Sequence, residues 1–342
     1  MAHPHSNGPI VAVVGTGSMG LRHLRALGAA GAVNVIAIPS RLERLTVLSA
    51  AGHATAPSIA EAARRGAAFC IVASDTSRHV QDGLEAVRQG LHVLVEKPLA
   101  RHAAEAAVLV RAAADAGRGC YVGCTLRFAE ALNLFRARLP ELGSVHDVRI
   151  EAQSYLPAWR PDRNFRVSYS ARADEGGVLR DLIHEVDYAG WLFGWPLSVS
   201  AKLRNHGHLG IASEEAADLF WDAPFGPTVS IRLDYLTVPT RRRLRASGAN
   251  GTLEWDAVAG SVAMTSADGT LETTQASQCR DAMVAAQAIA FIAACGGHAD
   301  DRLATGTDGL RALAVCDAAR ESSATGRDQL IRHVSPCATS PV

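Results

Sequence analysis

The chain lacks any imbalance of charge: 34 lysines and arginines stand against 34 aspartates and glutamates in 342 residues. With no net field of either sign, neither nucleic acid nor an acidic membrane surface is drawn to it from a distance, and small molecules are the expected partners. Disulfide and zinc frameworks are missing too. The seven cysteines are odd in number, scattered, and contain no C-x-x-C pair, which fits a reducing compartment better than a stapled secreted scaffold. Cys120 and Cys124, the nearest pair, have no second ligand pair to complete a metal site and read as buried structural thiols. No metal is expected. No stretch approaches the roughly 20 apolar residues of a membrane span, and Met1 to Pro9 hold no apolar run like that of a signal peptide. No internal repeat is visible. A soluble, cytoplasmic protein is the expectation.

What is present is apolar material for two cores. Hydrophobic residues make up 48% of the chain, and single cores stop growing at roughly 250 to 300 residues. Ile10-Val11-Ala12-Val13-Val14 is a continuous β-branched run of the kind covered on both faces of a sheet. Helix is expected at Leu21 to Gly31, strand at Val33 to Ile38, helix at Arg41 to Ala51 and strand at Ala67 to Ala73. The alternation continues with helix at Val80 to Gln89, strand at Leu91 to Val95, alanine-rich helix at Ala103 to Ala116 and a short strand at Cys120 to Cys124. Such alternation builds a doubly wound parallel sheet, an α/β fold, and residues 1–124 are assigned to it. From 125 to 342 the pattern changes. Leu197 to Leu203 and Val229 to Tyr235 alternate with period two, so one face of that sheet is covered and the other wetter. Runs at Val145 to Gln153, Ala217 to Asp222, Arg243 to Ser247 and Ser261 to Thr265 extend a large, open, mainly antiparallel sheet in an α+β domain. Helices are expected at Asp281 to Ala294 and Gly309 to Ser322, and a frayed tail from His333.

The chemistry begins with Gly15-Thr16-Gly17-Ser18-Met19-Gly20. In this spacing the first glycine permits a tight turn, the second lets backbone approach a pyrophosphate, and the third lets helix and strand pack closely. The start of the following helix offers amide donors to the phosphates. A dinucleotide is the expected ligand. Its type is read at the end of the second strand, where NAD enzymes place a carboxylate on the ribose hydroxyls. Here Ile38-Pro39-Ser40-Arg41 has none. Ser40 can donate to a 2′-phosphate and the Arg41 guanidinium can pair with it, so NADP(H) is favoured over NAD(H). The plainer alternative makes Arg41 the start of a solvated helix.

Glu96-Lys97-Pro98 follows the apolar run Leu91 to Val95. A lysine at the end of a parallel strand lies at the carboxyl edge of the sheet, where such sheets hold ligands, and the proline after it disfavours helix at Lys97. A second cluster lies at Gly176-Gly177-Val178-Leu179-Arg180-Asp181-Leu182-Ile183-His184-Glu185-Val186-Asp187. Asp181, His184 and Asp187 recur at intervals of three, which on one helix places them close together on one side. A histidine between two carboxylates has a partner to fix its tautomer and raise its basicity. The alternative is an ordinary surface histidine with ion-pair neighbours.

These pieces, with Arg127-Phe128 and Thr307-Asp308-Gly309-Leu310, resemble in order and spacing the glucose-fructose oxidoreductase, inositol dehydrogenase and MocA family (Gfo/Idh/MocA) across almost the whole chain. The resemblance implies a Rossmann domain followed by an open sheet that forms a homodimer or homotetramer interface, with substrate held between the two. It implies that Lys97 and His184 face the substrate carbon, that Glu96 and Lys97 lie at the cofactor, and that the bond before Pro98 is cis. Many relatives place the aspartate four residues before the histidine, so Asp181, at three, is the less secure substrate contact. Tyr155 to Pro161, Tyr169 to Ala171 and Asp181 to Tyr188 resemble, within the family, oxidoreductases of nonulosonate or surface-glycan pathways. Arg127 is carried over as a substrate contact. Arg160, Arg163 and Arg166 either receive a carboxylate or phosphate or form a solvated loop. Trp159 and Tyr155 read first as core and second as rings that stack on a sugar or base.

The expected activity is reversible hydride transfer between NADP and a secondary alcohol or ketone of a sugar-like substrate. His184 serves as acid or base, Lys97 supports alkoxide character at the same oxygen, and their proton roles are interchangeable at this level. Rival readings are a non-catalytic dinucleotide-binding sensor, an NADP-dependent reductase of a non-sugar such as a tetrapyrrole or imine, and a methyltransferase.

Overall fold

The apolar β-branched runs become the centre of a parallel sheet. In the computed structural model, which describes residues 8–31, 33–224 and 226–332, the first part of the chain forms β1 (Ile10–Val14), α1 (Ser18–Ala30), β2 (Asn34–Ile38), α2 (Arg44–Ala50), β3 (Ala54–Thr55), α3 (Ile59–Arg64), β4 (Ala67–Val72), α4 (His79–Arg88), β5 (His92–Val95), α5 (Ala103–Asp115) and β6 (Cys120–Val122). The frayed tail expected from His333 lies outside the described residues, as does most of the leading segment. The six strands pair in the order β3-β2-β1-β4-β5-β6, every neighbour parallel. This is the Rossmann order, and it reverses between β1 and β4, where open α/β sheets bind ligands. The two-residue β3 and the helix α3 are additions to the expected elements. Neither is long enough to register as a period in the sequence.

The second part forms α6 (Glu130–Arg138), β7 (Val145–Gln153), α7 (Val178–Asp181), α8 (Ile183–Phe193), β8 (Ser198–Arg204), β9 (Ala216–Asp222), β10 (Thr228–Asp234), β11 (Arg241–Gly248), β12 (Gly251–Asp256), β13 (Ser261–Ser266) and β14 (Leu271–Gln275), followed by α9 (Arg280–Cys295), α10 (Gly306–Thr325) and β15 (Gln329–Leu330). Nine strands pair in the order β14-β13-β12-β11-β7-β10-β9-β8-β15. All neighbours are antiparallel except β7 with β10, so the mainly antiparallel α+β expectation holds. One face is buried: Val148, Ile150 and Ala152 of β7 line up with Val229, Ile231 and Leu233 of β10 and with Leu244 and Ala246 of β11. Tyr188 of α8 packs edge-on to Trp255 of β12 under that face. The opposite face carries exposed residues such as Phe220 and Arg232.

Where the sequence reading cuts the chain once, after residue 124, the structure cuts later and then returns. One compact unit runs to Phe128 and takes back Cys279–Leu310; the other comprises Ala129–Gln278 and the chain from Arg311. The return is a matter of core. Ala288 and Phe291 of α9, with Leu303, share one apolar cluster with Val11, Val13, Leu24, Leu27 and Ile71.

Candidate active site

The glycine fingerprint is built as its spacing demands. Gly15 follows β1 with φ of 84°, and a Cβ there would press on the backbone of Ala73 and Ser74 at the end of β4. At Gly20 a Cβ would overlap the Gly15 carbonyl, whereas at Gly17 a Cβ would meet nothing within 4 Å. Two glycines therefore close the turn and the middle one leaves open backbone at the start of α1, beside exposed Ser18 and half-buried Met19. Two buried hydroxyls flank the turn, Thr16 Oγ1 after β1 and Ser74 Oγ after β4, with no hydrogen-bond partner among the described residues. Orphaned polar atoms in a folded protein call for an explanation. Open glycine backbone, a helix start and two unspent hydroxyls at the switch point are the donors a dinucleotide pyrophosphate and its ribose require.

At the end of β2, Ser40 and Arg41 are both exposed. The helix expected from Arg41 begins at Arg44 instead, leaving Arg41 on the turn before it. Arg44 was not singled out by sequence. Its Nη1 donates to the Thr16 carbonyl at 2.8 Å, which sets a third donor-bearing side chain beside the fingerprint.

Lys97 stands two residues beyond β5, and the Lys97-Pro98 bond is cis, as the resemblance implies. From Val93 to Ala100 every residue is buried except Lys97, which is half-buried. The turn is fastened from behind. His79 of α4 sets Nδ1 against the Pro98 carbonyl at 2.8 Å and Nε2 against the Ser74 carbonyl at 3.0 Å, so it ties the lysine turn to the end of β4. Burial lowers the His79 pKa below the ordinary histidine value, against the pull of the two carbonyls, which favour a ring protonated on both nitrogens. Glu96, expected at the cofactor, is 6% exposed, and its Oε1 meets Nε2 of fully buried His23 at 2.6 Å. Burial alone would raise its pKa, but the His23 hydrogen bond and the charges of His23, Lys97 and His79 hold it below the ordinary value. Lysine is also almost absent from this chain: of 34 basic residues only Lys97 and Lys202 are lysines.

In the second unit the double glycine is a packing device. A Cβ on Gly176 would overlap the Tyr169 carbonyl, and one on Gly177, at φ of 92°, would overlap the Glu214 carboxylate. That carboxylate also accepts from Leu179 N at 3.3 Å and from Arg320 at 2.7 Å. The single helix expected over Asp181, His184 and Asp187 is broken. Leu182, at φ −101° and ψ 32°, separates α7 from α8, so Asp181 does not share a continuous helix face with His184. Asp181 is 2% exposed and accepts from the Tyr235 hydroxyl at 2.5 Å; Tyr169 hydrogen-bonds to it as well. Asp181, expected at the catalytic site, is thus enclosed by two phenols. Burial, then the Asp181 charge, push both tyrosines well above the ordinary phenol pKa, so they remain donors. From Glu175 to Gly190 every residue is buried except His184, which is half-buried. Glu185 beside it is fully buried against Arg242 at 2.8 Å.

A glycine fingerprint, a lysine before a cis proline and a glycine-led histidine turn are thus all in place. The chain belongs to the Gfo/Idh/MocA oxidoreductase family. Residues 10–124 match its "Oxidoreductase family, NAD-binding Rossmann fold" and residues 139–254 its C-terminal domain. The first unit is therefore an NAD(H)-type Rossmann fold. A curated relative is the myo-inositol dehydrogenase Hyg17 of Streptomyces leeuwenhoekii, 33% identical over 190 residues that make up 54% of this chain and 55% of that protein. The chain spans about half the length, or less, of the curated relatives it matches. Among solved structures, a levoglucosan dehydrogenase in complex with NADH and L-sorbose is similar with a TM-score of 0.85 at 17% identity, covering 96% of this chain and 100% of that one. The WlbA dehydrogenase of Bordetella pertussis, in complex with NADH and UDP-GlcNAcA, is similar with a TM-score of 0.78 at 20% identity, covering 95% and 99%. At these identities the structures establish the fold.

Other expected contacts of this family member fall in different places. Arg127 is 2% exposed and its Nη1 lies 3.5 Å from Asp308, whose Oδ2 also accepts from Thr305 N at 3.0 Å at the start of α10. Arg127, expected at the substrate, thus lies in a buried ion pair with Asp308 of the Thr307 to Leu310 motif. Tyr155 and Trp159 are not core: they are 39% and 40% exposed. Trp159 Nε1 donates to Ser154 at 2.9 Å and its ring meets Tyr235 edge-on, so it abuts the phenol that braces Asp181. Arg160 and Arg163 are exposed, whereas Arg166 is spent on the Leu209 carbonyl at 2.9 Å and on the Phe165 ring. Of the six described cysteines, none of them in a disulfide, Cys70, Cys124 and Cys316 are buried and Cys279 is exposed; burial pushes Cys120 and Cys316 up to about 12. Among the described residues no helix is long and apolar enough to cross a membrane.

Proposed function

We propose that this family member is an NADP(H)-preferring dehydrogenase that interconverts a secondary alcohol and a ketone on a sugar-like substrate. The observation that carries the reading is that Lys97 and His184 are each the one half-buried residue in an otherwise buried run. Two buried runs that each leave one proton-active side chain, a lysine and a histidine, partly exposed make both groups accessible to a ligand. The nicotinamide, when bound, supplies the acceptor or donor of hydride at its C4. In the oxidative direction the carbinol C–H leaves as hydride and the O–H proton passes to the imidazole of His184, while the Lys97 ammonium stabilises negative charge growing on that oxygen. Asp181, Tyr169 and Tyr235 hold the turn that presents His184.

Preference for the 2′-phosphate is supported by Ser40 and Arg41 on the exposed turn after β2, by the lack of a carboxylate there, and by the nearby Arg44. The relatives' printed substrates and ligands, myo-inositol, L-sorbose and UDP-GlcNAcA, are all hydroxylated. Exposed Arg160 and Arg163, with Trp159, suit a substrate with an anionic group and a ring to stack on. The open face of the nine-stranded sheet is the surface we assign to self-association, and the cytoplasm is the compartment we assign to the protein. The test is fluorescence titration with NADPH and NADH of wild type and Arg41→Ala, after removal of any bound nucleotide. Tighter NADPH binding that weakens selectively in the variant supports the reading. Preference for NADH overturns the phosphate assignment, and failure to bind either nucleotide overturns the dehydrogenase.

A further inference from the structure

We propose that the open face of the nine-stranded sheet carries a self-complementary pattern of charge for a second copy of this chain, docked about a two-fold axis that runs along the strands between β7 and β10. The inference rests on the assignment of that face to self-association and adds the orientation and the residue pairs.

The pattern follows from the strand register. Asp256 of β12 stands opposite Arg243 of β11, and Arg243 opposite Glu151 of β7. Glu151 stands opposite Arg232 of β10, Arg232 opposite Asp218 of β9, and Asp218 opposite Lys202 of β8. Each of the six alternates with buried neighbours on its own strand, so together they form one row on the open face. Across six adjacent strands the signs run minus, plus, minus, plus, minus, plus. Within one copy this is a ladder of cross-strand pairs, closed at 3.0 Å between Arg243 and Asp256 and at 3.6 Å between Arg232 and Asp218. The ladder is open to solvent: the Arg232 and Arg243 side chains are 63% and 48% exposed.

An alternating row of even length changes sign when it is reversed. Its midpoint falls between Glu151 and Arg232, where β7 runs parallel to β10. A two-fold axis along the strands at that line reverses the strand order and keeps each row in place, so every charge meets its opposite. Arg243 meets the partner's Asp218, Glu151 the partner's Arg232, and Asp256 the partner's Lys202. Each contact occurs twice, as in any isologous interface. A two-fold axis across the strands at the same row would instead set each charge on its own copy, and like charges brought together oppose docking. The next row agrees. Arg245 stands opposite Arg149, like charges side by side, which is unfavourable within one copy. The same axis lays the partner's Phe220, on the row of Arg149 and 51% exposed, over Arg245 as a ring beneath a cation. Five strands lie on one side of the axis and four on the other, so it passes near the middle of the sheet. Eight facing strands span about 38 Å by about 20 Å, close to the roughly 800 Å² that each partner gives to a standard interface.

Sedimentation equilibrium of the full-length protein tests the pairs. Wild type should be dimeric, with a dissociation constant about tenfold weaker when NaCl is raised from about 50 mM to about 500 mM. Arg243→Glu sets an acid against the partner's Asp218 twice per dimer, and Asp218→Arg sets a base against the partner's Arg243 twice. Each variant alone should weaken the dimer about 100-fold. Mixed in equal amounts, the two should reassemble at near wild-type strength, because in the mixed dimer both contacts between positions 243 and 218 join opposite charges again. Misfolding is not cured by mixing, so recovery reports on the interface. If either variant does not fold, Glu151→Lys and Arg232→Glu form an equivalent pair. A monomeric wild type overturns the proposal together with the assignment of that face to self-association. Variants that both stay dimeric move the interface elsewhere and overturn it as well, and variants that dissociate but do not reassemble on mixing keep the face and overturn the orientation. NADPH and NADH titrations of the same samples report separately on the dehydrogenase reading.

Discussion

The Lys97 turn and the His184 turn present one half-buried residue each, yet they are braced with opposite materials. Behind Lys97 lie ionisable partners: His23 on Glu96, with His79 tying Pro98 to Ser74. Before His184 lie neutral phenols, Tyr235 and Tyr169, donating to Asp181, while Glu185 behind it meets Arg242. A buried carboxylate such as Glu96 must have donors in place of its lost water to stay ionised, and His23 supplies one. On the His184 side the Asp181 carboxylate is met instead by neutral phenol donors. One turn is thus backed by groups that can carry charge and the other is led by groups that stay neutral.

The largest effects should come from the presented residues. Lys97→Met and His184→Gln should each lower turnover, on whichever member of a polyol and UDP-sugar panel proves active, by about 10²- to 10⁴-fold. NADPH affinity should stay within about threefold, the signature of an interaction made in the transition state. A lysine variant that loses turnover and affinity equally would make Lys97 a cofactor anchor and end the parallel with His184. Next are the glycines. Gly20→Ala forces a Cβ onto the Gly15 carbonyl and should cost about 3 kcal/mol in urea unfolding, whereas Gly17→Ala, with open space around it, should leave stability within about 0.5 kcal/mol and weaken NADPH binding. Tyr235→Phe removes a donor from buried Asp181 and should cost about 1.5 to 3 kcal/mol; a near-zero value would mean Tyr169 alone suffices. The smallest effects, in the pH dependence of unfolding, separate the braces by direction. Glu96 is lowered in the folded state, so its contribution is complete above the ordinary glutamate value of 4.5 and is lost as pH falls through the folded value. Tyr169 and Tyr235 are raised, so theirs is complete below the ordinary 10.0 and is lost as pH climbs beyond it. Glu96→Gln should flatten only the acid limb and Tyr235→Phe should weaken only the alkaline one.

Much of this was legible because it is local. The apolar run at Ile10 to Val14, the fingerprint glycines and the alternation in β10 each encode their environment within a few residues, and strand β7 appears over the residues the pattern predicts. Strand β14 was missed because all its residues are exposed, which leaves no period-two signal. The breaks in expectation arise where distant residues decide. Asp181 was grouped with His184 by helical spacing, but Tyr235, 54 residues on, encloses it. Arg127 is expected at the substrate from the resemblance, and its ion pair with Asp308, 181 residues away, has no local signature. His23 lies on a helix whose spacing says nothing of Glu96. One legible signal was overlooked: a chain that uses arginine almost everywhere keeps lysine at position 97. The two cations differ in that only an ammonium readily yields its proton when desolvated.

The return of α9 to the first unit bears on how the chain is made. Phe291 and Ala288 close the cluster that holds Leu24 and Leu27 of α1, so the nucleotide-binding half cannot finish its core while only its own first 128 residues exist. On the ribosome it must wait for roughly 150 more (278 minus 128), at synthesis rates of about 5 to 20 residues per second. Joining ends so far apart carries an entropy that grows only slowly with distance, so the delay is one of time more than of stability. During that interval the second unit's sheet can form ahead of the unit that precedes it in sequence. The late segment from Cys279 to Leu310, with α9 and Leu303, is then what completes the core of the nucleotide-binding half.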